Sequence, residues 1–319
     1  MQLPHASATS SATWRFGSRG ALTLDEPRIM AVINATPDSF FTGSRVSGGD
    51  EAVASIESAV RDGADVIDLG AESTRPGAER VAAADQLARL LPIIERVRAH
   101  ADSAVAAIPI SVDTTLTEVA AAALDAGADA VNDVSGGDES PEILRLAAEH
   151  AAGLILMHRR RPPDRESFSD AYAADQPAYA DVVGDVTASL AAKLDAARSA
   201  GVPDEAVVLD VGLGFGKTVE QTGELIRATA DMLADPRLGG RPLLSATSRK
   251  SFVGRLSLER DSSPDERLPG SLAFSVMHLL GGARLFRVHD VLEQRQALRA
   301  AWSLMRDLAD ENRSHRGGA

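Results

Sequence analysis

The sequence predicts an α/β fold, a (β/α)8 TIM barrel with a short N-terminal hairpin, on three observations. First, short apolar runs recur along the chain, and each leads to polar residues able to do chemistry. Residues 29–33 run into Asn34, 108–112 into Asp113, 130–131 into Asn132-Asp133, 154–157 into His158 and 207–209 into Asp210. Residues 66–69 carry Asp68 and lead to Glu72-Ser73-Thr74-Arg75, residues 243–244 precede Ser248-Arg249-Lys250, and residues 285–288 carry Arg287 and end at His289. A strand buried on both faces reads as a continuous apolar run, and a barrel gathers the carboxyl ends of its strands on one functional rim. Second, segments with helical spacing separate these runs, and alternation of the two implies a parallel sheet. Third, Asp62-Gly63-Ala64-Asp65 and Ala126-Gly127-Ala128-Asp129 match as helix ends feeding strands, so the unit repeats. Flavodoxin-like and Rossmann sheets are the rivals; eight units favour closure.

Taken in order, Trp14-Arg15-Phe16 and residues 21–24 flank a Gly-bearing turn and predict a hairpin plugging the barrel floor. Residues 51–61 have helical spacing up to Gly63. Residues 85–98 form an amphipathic helix with Leu87, Leu90, Leu91, Ile94 and Val97 on one side. Thr115-x-x-Glu118 reads as a capping box and Gly127 as the helix stop. Ser140-Pro141-Glu142 reads as an N-cap with proline at the first helical position. Helices are expected over 179–199, 219–233, 268–280 and 291–309. The expected organisation is a flexible N-terminus and floor hairpin over 1–28, a (β/α)8 catalytic domain over 29–309 and a flexible tail over 310–319.

At 319 residues and 44% hydrophobic, the chain exceeds the roughly 250 residues typical of one such barrel and can fill a large core. Cysteine is absent, which excludes disulfides and thiolate metal sites and fits a reducing cytoplasm. A net charge of −13 argues against a nucleic-acid partner. Apolar stretches fall short of the roughly 20 residues a membrane span needs, and residues 1–10 lack a signal-peptide layout.

Several strand ends carry a recognisable chemistry. Gly212-Leu213-Gly214-Phe215-Gly216-Lys217 fails both the phosphate-loop and the dinucleotide patterns, since Val211 and Lys217 occupy required glycine positions. A plain glycine-rich turn, or one letting the backbone approach a flat ligand, explains it equally well. Asp113, Asn132 and Asp210 offer the acceptors and the amide that suit a heterocycle with amino and carbonyl edges. Arg287 and His289 fall on the same side of the last strand and suit an anionic oxygen group, with a rim salt bridge as the alternative. Ser248-Arg249-Lys250-Ser251 opens a helix, whose N-terminus favours anions. His158 is followed by Arg159-Arg160-Arg161-Pro162-Pro163, which reads as an exposed basic loop; His5, His100, His150, His278 and His315 receive no role.

Eight segments in order make the chain resemble the dihydropteroate synthase family over residues 29–295. They are Asn34-Ala35-Thr36-Pro37-Asp38-Ser39-Phe40, Gly63-Ala64-Asp65-Val66-Ile67-Asp68, Glu72-Ser73-Thr74-Arg75-Pro76-Gly77 and Ser111-Val112-Asp113-Thr114, followed by Asn132-Asp133-Val134-Ser135-Gly136, the glycine turn at 212–217, Ser248-Arg249-Lys250-Ser251 and Arg287-Val288-His289-Asp290. The resemblance implies a cytoplasmic, homodimeric transferase of folate biosynthesis. Such an enzyme joins 6-hydroxymethyl-7,8-dihydropterin pyrophosphate to p-aminobenzoate with Mg2+ and releases pyrophosphate. It further implies that Asp113, Asn132, Met157, Asp210, Phe215 and Lys250 hold the pterin. Phe40, Thr74, Arg75, Pro76, Phe215 and Ser251 would surround p-aminobenzoate. Asn34, Arg75, Arg287 and His289 would face the pyrophosphate, with Asn34 as the metal ligand. Lys250, Arg287, His289 and Asp210 carry the catalytic roles in that scheme. The chain departs from the family at Val211 (usually proline), Phe41-Thr42 (usually Ser-Asp), Ala71 (often glycine) and the three arginines after His158. A non-catalytic pterin-binding paralogue and a methyltetrahydrofolate-binding methyltransferase are the alternative expectations.

Overall fold

The computed structural model describes residues 12–35, 47–169, 171 and 179–316. An antiparallel hairpin, β1 (Thr13–Phe16) and β2 (Gly20–Thr23), comes first. Strands β3 (Arg28–Asn34), β4 (Val66–Gly70), β5 (Ile110–Asp113), β6 (Ala130–Asp133), β7 (Gly153–Met157), β8 (Val207–Asp210), β9 (Leu243–Ser245) and β10 (Leu285–Val288) then close one parallel barrel, with β10 pairing back onto β3. Around it run α1 (Ser47–Asp62), α2 (Ala83–Arg98), α3 (Ser103–Ala107), α4 (Thr117–Asp125), α5 (Glu142–Glu149), α6 (Val182–Ser199), α7 (Val219–Arg227), α8 (Thr229–Ala234), α9 (Ser251–Leu258), α10 (Leu268–Gly281) and α11 (Val291–Arg316).

Alternation along each strand divides the side chains. Outward residues such as Ile67, Leu69, Val112, Leu154 and Leu209 pack against the helices in two large clusters. Inward residues at the strand starts (Met30, Val66, Ala130, Ile155, Val208, Leu244 and Leu285) form a separate cluster with Trp14, Phe16 and Leu24 of the hairpin segment. Both layers being apolar explains the uninterrupted runs in the sequence. The hairpin is the expected floor plug. Trp14 is fully buried, its ring meets Phe16 edge-on at 5.0 Å, and its indole N–H donates to the Ala206 carbonyl at 3.0 Å. A side chain at Gly153 would meet the Trp14 indole at 2.9 Å, so the plug fits only against a bare backbone there.

The repeated Asp-Gly-Ala-Asp and Ala-Gly-Ala-Asp segments do one job twice. In each, the glycine N–H returns to the carbonyl three residues back (Val60, Leu124) and the next amide to the one five back (Ala59, Ala123), closing the helix. The following aspartate then accepts an N–H from the strand alongside: Asp65 from Ile29 at 2.8 Å, Asp129 from Ile110 at 2.9 Å.

Some boundaries differ from expectation. The Thr115-x-x-Glu118 capping box does not form, because the Thr115 hydroxyl donates to Glu139 at 2.6 Å and helix α4 starts after Leu116 without a side-chain cap. Pro141 itself caps α5, and no side chain of Ser140 does so. Helix α6 begins after Asp181, whose carboxylate accepts the Gly184 N–H, so Tyr179 lies outside it. The helix expected over 219–233 breaks at Ala228 into α7 and α8, and α11 continues to Arg316, past Ala309.

Trp14→Ala should cost about 3–5 kcal/mol, the usual range for emptying a buried aromatic site. Urea denaturation measures this, and an unchanged midpoint would remove the hairpin from the core.

Candidate active site

The barrel interior changes character one layer above the floor. Asp68 of β4, Asn132 of β6 and Arg287 of β10 each follow an apolar inward residue by two positions, and Asp113 ends β5. Arg287 lies between two carboxylates: Nε donates to Asp68 Oδ2 at 2.6 Å and Nη2 to Asp113 Oδ2 at 2.9 Å. Asn132 Nδ2 donates to the same Asp68 oxygen at 3.1 Å. Asp68 is fully buried, and Asp113 and Asn132 nearly so. Burial would lower the basicity of Arg287, but the attraction of Asp68 and Asp113 outweighs it and holds the guanidinium charged. Burial raises the Asp113 carboxyl well above the usual range, with Arg287 opposing and Asp68 and Glu72 adding to the rise. One cation thus faces two carboxylates, and the more exposed of the pair carries the strain of like charge.

A second group flanks this array. Asp210 ends β8, and its Oδ1 accepts the Gly212 N–H at 2.7 Å. Gly212 has φ +66, and a Cβ there would lie 1.9 Å from the His158 carbonyl oxygen, so no other residue fits. Lys217 is completely buried and donates to the carbonyls of Gly212 (2.9 Å) and Phe215 (2.8 Å) and to His158 Nδ1 (2.9 Å). Burial, then the neighbouring Lys217 charge, pushes His158 down to about 2, so its ring is neutral and can accept. Burial, opposed by Asp210, lowers the Lys217 pKa to about 7, and its amino group fastens the glycine turn from inside. Met157, Val134 and Phe215 form a small apolar wall. Lys250, at the start of α9, places Nζ 4.6 Å from the Phe215 ring centroid and donates to the Leu213 carbonyl at 2.7 Å. Burial lowers its pKa to about 8.

At the last strand, Ser248 Oγ accepts the His289 amide at 3.2 Å and lies 3.1 Å from His289 Nδ1. Burial, then the Arg287 and Arg249 charges, lowers His289 to about 3, which leaves a neutral ring. Arg249 turns away to Asp290 and Asp265.

The structure thus brings Asp113, Asn132 and Arg287 together through Asp68, and sets Asp210, Phe215, Lys250 and Met157 beside them. Arg287 makes the salt bridge that was its alternative, yet Nη1 keeps no partner among the described residues. Asn34 ends β3 half-buried, with no hydrogen bond to its carboxamide among the described residues. Thr74 and Pro76 are half-buried and Arg75 exposed on the loop after β4, and Ser251 is half-buried at the first turn of α9. Phe40 and Thr42 lie outside the described residues. Val211 packs in the main helix–strand core, so this departure leaves the Asp210 turn intact. The expectation of an exposed loop fails for Arg159, which is 8% exposed. Sequence reasoning assigned no site role to Asp68, Val134 or Lys217. An acid inside a run otherwise apolar on both faces was the available signal for Asp68.

Among the described residues no cluster of three or more His, Asp or Glu could hold a metal, and no helix is long and apolar enough to cross a membrane. A cavity of about 280 Å3, lined by Arg28, Asp65, Arg295 and Trp302, lies at the opposite end of β3 and contains none of these residues.

A family model described as pterin binding enzyme matches residues 30–289. The dihydropteroate synthase of Synechocystis is 42% identical over 87% of this chain and 90% of its own length. That of Mycobacterium leprae is 37% identical over 88% and 95%. A Xanthomonas albilineans dihydropteroate synthase solved with 4-aminobenzoic acid superposes with a TM-score of 0.80 at 35% identity, covering 92% of this chain and 98% of that one. The Burkholderia cenocepacia enzyme complexed with 7,8-dihydropteroate gives 0.78 at 34% identity, covering 94% and 99%. With matches of this extent, the chain belongs to the pterin-binding enzyme family and, within it, to the dihydropteroate synthases.

Proposed function

We propose that the chain condenses 6-hydroxymethyl-7,8-dihydropterin pyrophosphate with p-aminobenzoate, giving 7,8-dihydropteroate and pyrophosphate for folate synthesis. The observation that carries this is the buried array in which Asp68 holds both Asn132 and Arg287, with Asp113, Asp210 and Lys250 around the same opening.

The chemistry follows from which atoms are committed. Asn132 gives one Nδ2 N–H to Asp68, which leaves its second N–H and its Oδ1 for a ligand. Asp210 and Asp113 accept N–H bonds from the amino edge of a pterin, and the Lys250 ammonium donates to its carbonyl or ring nitrogen. Val134, Met157 and Phe215 cover the ring faces. The free Nη1 of Arg287 then points to the pyrophosphate. Ser248 Oγ, already accepting the His289 amide, is free to donate to Nδ1. The ring proton of His289 is thereby left on Nε2 as a neutral donor to a phosphate oxygen. These groups stabilise charge on the departing pyrophosphate, the pterin methylene becomes cationic, and the carboxylates of Asp113 and Asp210 offset that charge. The neutral amine of p-aminobenzoate, a substrate held by Thr74, Arg75, Pro76, Phe40 and Ser251, attacks the methylene as its bond to pyrophosphate breaks, and the proton the amine sheds leaves to solvent.

Mg2+ belongs to the same proposal. Asn34 offers one amide oxygen, and Mg2+ characteristically takes one or two protein ligands with the rest from phosphate and water. When bound, it would neutralise phosphate charge and act as a Lewis acid on the leaving group. A cytoplasmic homodimer completes the proposal, on the strength of the resemblance.

The decisive assay is pyrophosphate release by purified protein with Mg2+. Release requiring both substrates supports the proposal, and none with folded protein ends it. Lys250→Ala should weaken pterin affinity roughly 10- to 100-fold, the value of a hydrogen bond to a charged group. Wild-type affinity should also fall as pH rises through about 8, where the ammonium loses its proton, and Lys250→Ala should lack that step. A titration calorimeter reads both, and unaltered affinity in the variant would reject the role. Asp68→Asn should lower stability by about 3 kcal/mol or more, because it removes one carboxylate from a buried ion group. It should also weaken pterin binding through Asn132; denaturation and titration that both match wild type would exclude Asp68 from the site.

A further inference from the structure

The loop that carries Thr74, Arg75 and Pro76 is held by charges from other loops. Arg80, at its far end, donates from Nη2 to Glu139 Oε2 at 2.5 Å and to Thr115 Oγ1 at 3.2 Å, and pairs through Nη1 with Glu72 at 3.2 Å. Glu139 follows β6. Its Oε2 also accepts the Thr115 hydroxyl at 2.6 Å, and its Oε1 accepts from Arg159 Nη2. Glu139 therefore joins the loops after β4, β5, β6 and β7. A separate bond, from the Gly77 N–H to the Pro163 carbonyl at 2.8 Å, ties the same loop to the one following β7.

Two facts set this apart from an ordinary rim ion pair, which contributes little. The Arg159 side chain is only 4% exposed, so solvent screens its charge little and Glu139 is the carboxylate it bonds. In addition, Arg159 Nη1 is buried with no hydrogen-bond partner among the described residues, so the bond to Glu139 anchors the guanidinium. Arg159, Arg80 and Thr115 line a cavity of about 10 Å3 together with Thr74 and Asp113. The clamp residues and Thr74 thus border the same small space.

We propose that Glu139 and Arg159 are positioning residues, a clamp that places the Thr74-Arg75-Pro76 loop and so sets affinity for p-aminobenzoate while changing pterin binding much less. This rests on the function proposed above.

The test uses Arg159→Met, Glu139→Gln and the double variant. Each single variant should raise KM for p-aminobenzoate about tenfold, the loss of one charge-assisted bond. Pterin affinity by calorimetry should stay within about twofold, and the double variant should be no worse than either single one, as expected for one coupled unit. Arg159→Lys, keeping a cation, should recover part of the loss. Trypsin should cut after Arg80 faster in Arg159→Met and Glu139→Gln than in the wild type, Arg75 being protected by the proline that follows it. Unchanged KM for p-aminobenzoate, or equal weakening of both substrates, overturns the clamp. The tryptic comparison needs no turnover. If the wild type fails to condense the substrates, accelerated cleavage still supports the clamp, and unaltered cleavage rejects it independently.

Discussion

The grip of Asp68 and Asp113 on Arg287 is the interaction on which the functional end of this barrel depends. A guanidinium at this depth would be costly alone, and two carboxylates this close would repel each other without it. Together they form a buried group whose geometry leaves little choice to its neighbours. Asn132 turns its amide nitrogen toward Asp68, Asp113 shares an oxygen with Arg287, and only the remaining lone pairs and protons are left for a ligand. Substrate recognition in this fold is thus a matter of which atoms the interior has left uncommitted.

That polar group exists because the layer beneath it is apolar and closed. The hairpin and the inward residues at the strand starts fill the floor, so water reaches the charged layer from the rim alone. The same layering gives the Lys250 ammonium and the His289 ring their lowered proton affinities, since both sit in a low-dielectric neighbourhood with cations close by. Opposite treatments of neighbouring groups, one carboxyl raised and one guanidinium held charged, are the electrical result of one closed floor.

Much of this was legible in the sequence, for identifiable reasons. Strands buried on both faces cannot hide polar residues, so the eight runs and their end groups at Asp113, Asn132 and Asp210 stand out. Asp68 stands out in its run as well, but its role did not, because that depends on Arg287, which is 219 residues away. Arg159 sits in a run of arginines before two prolines, a local pattern that reads as solvent-exposed; its burial depends on Glu139. The capping box at Thr115 failed for the same reason, as a tertiary acceptor took the hydroxyl that local spacing had promised to the helix. Lys217 counted only against a nucleotide motif, whereas in the fold its amino group organises the turn that displaced it from that motif. For Asp68, Arg159 and Thr115, local pattern was overridden by a charged group from a distant part of the chain.

The floor plug also has a temporal side. Trp14 bonds to Ala206, 192 residues later in the chain. At typical synthesis rates of roughly 5–20 residues per second, the two are separated by about 10–40 s. Throughout that interval the aromatic pair of the hairpin has no floor to enter, and the strands that line it exist only in part. Closure of the barrel is therefore a late, long-range event, and the first residues with a place in the core are among the last to occupy it.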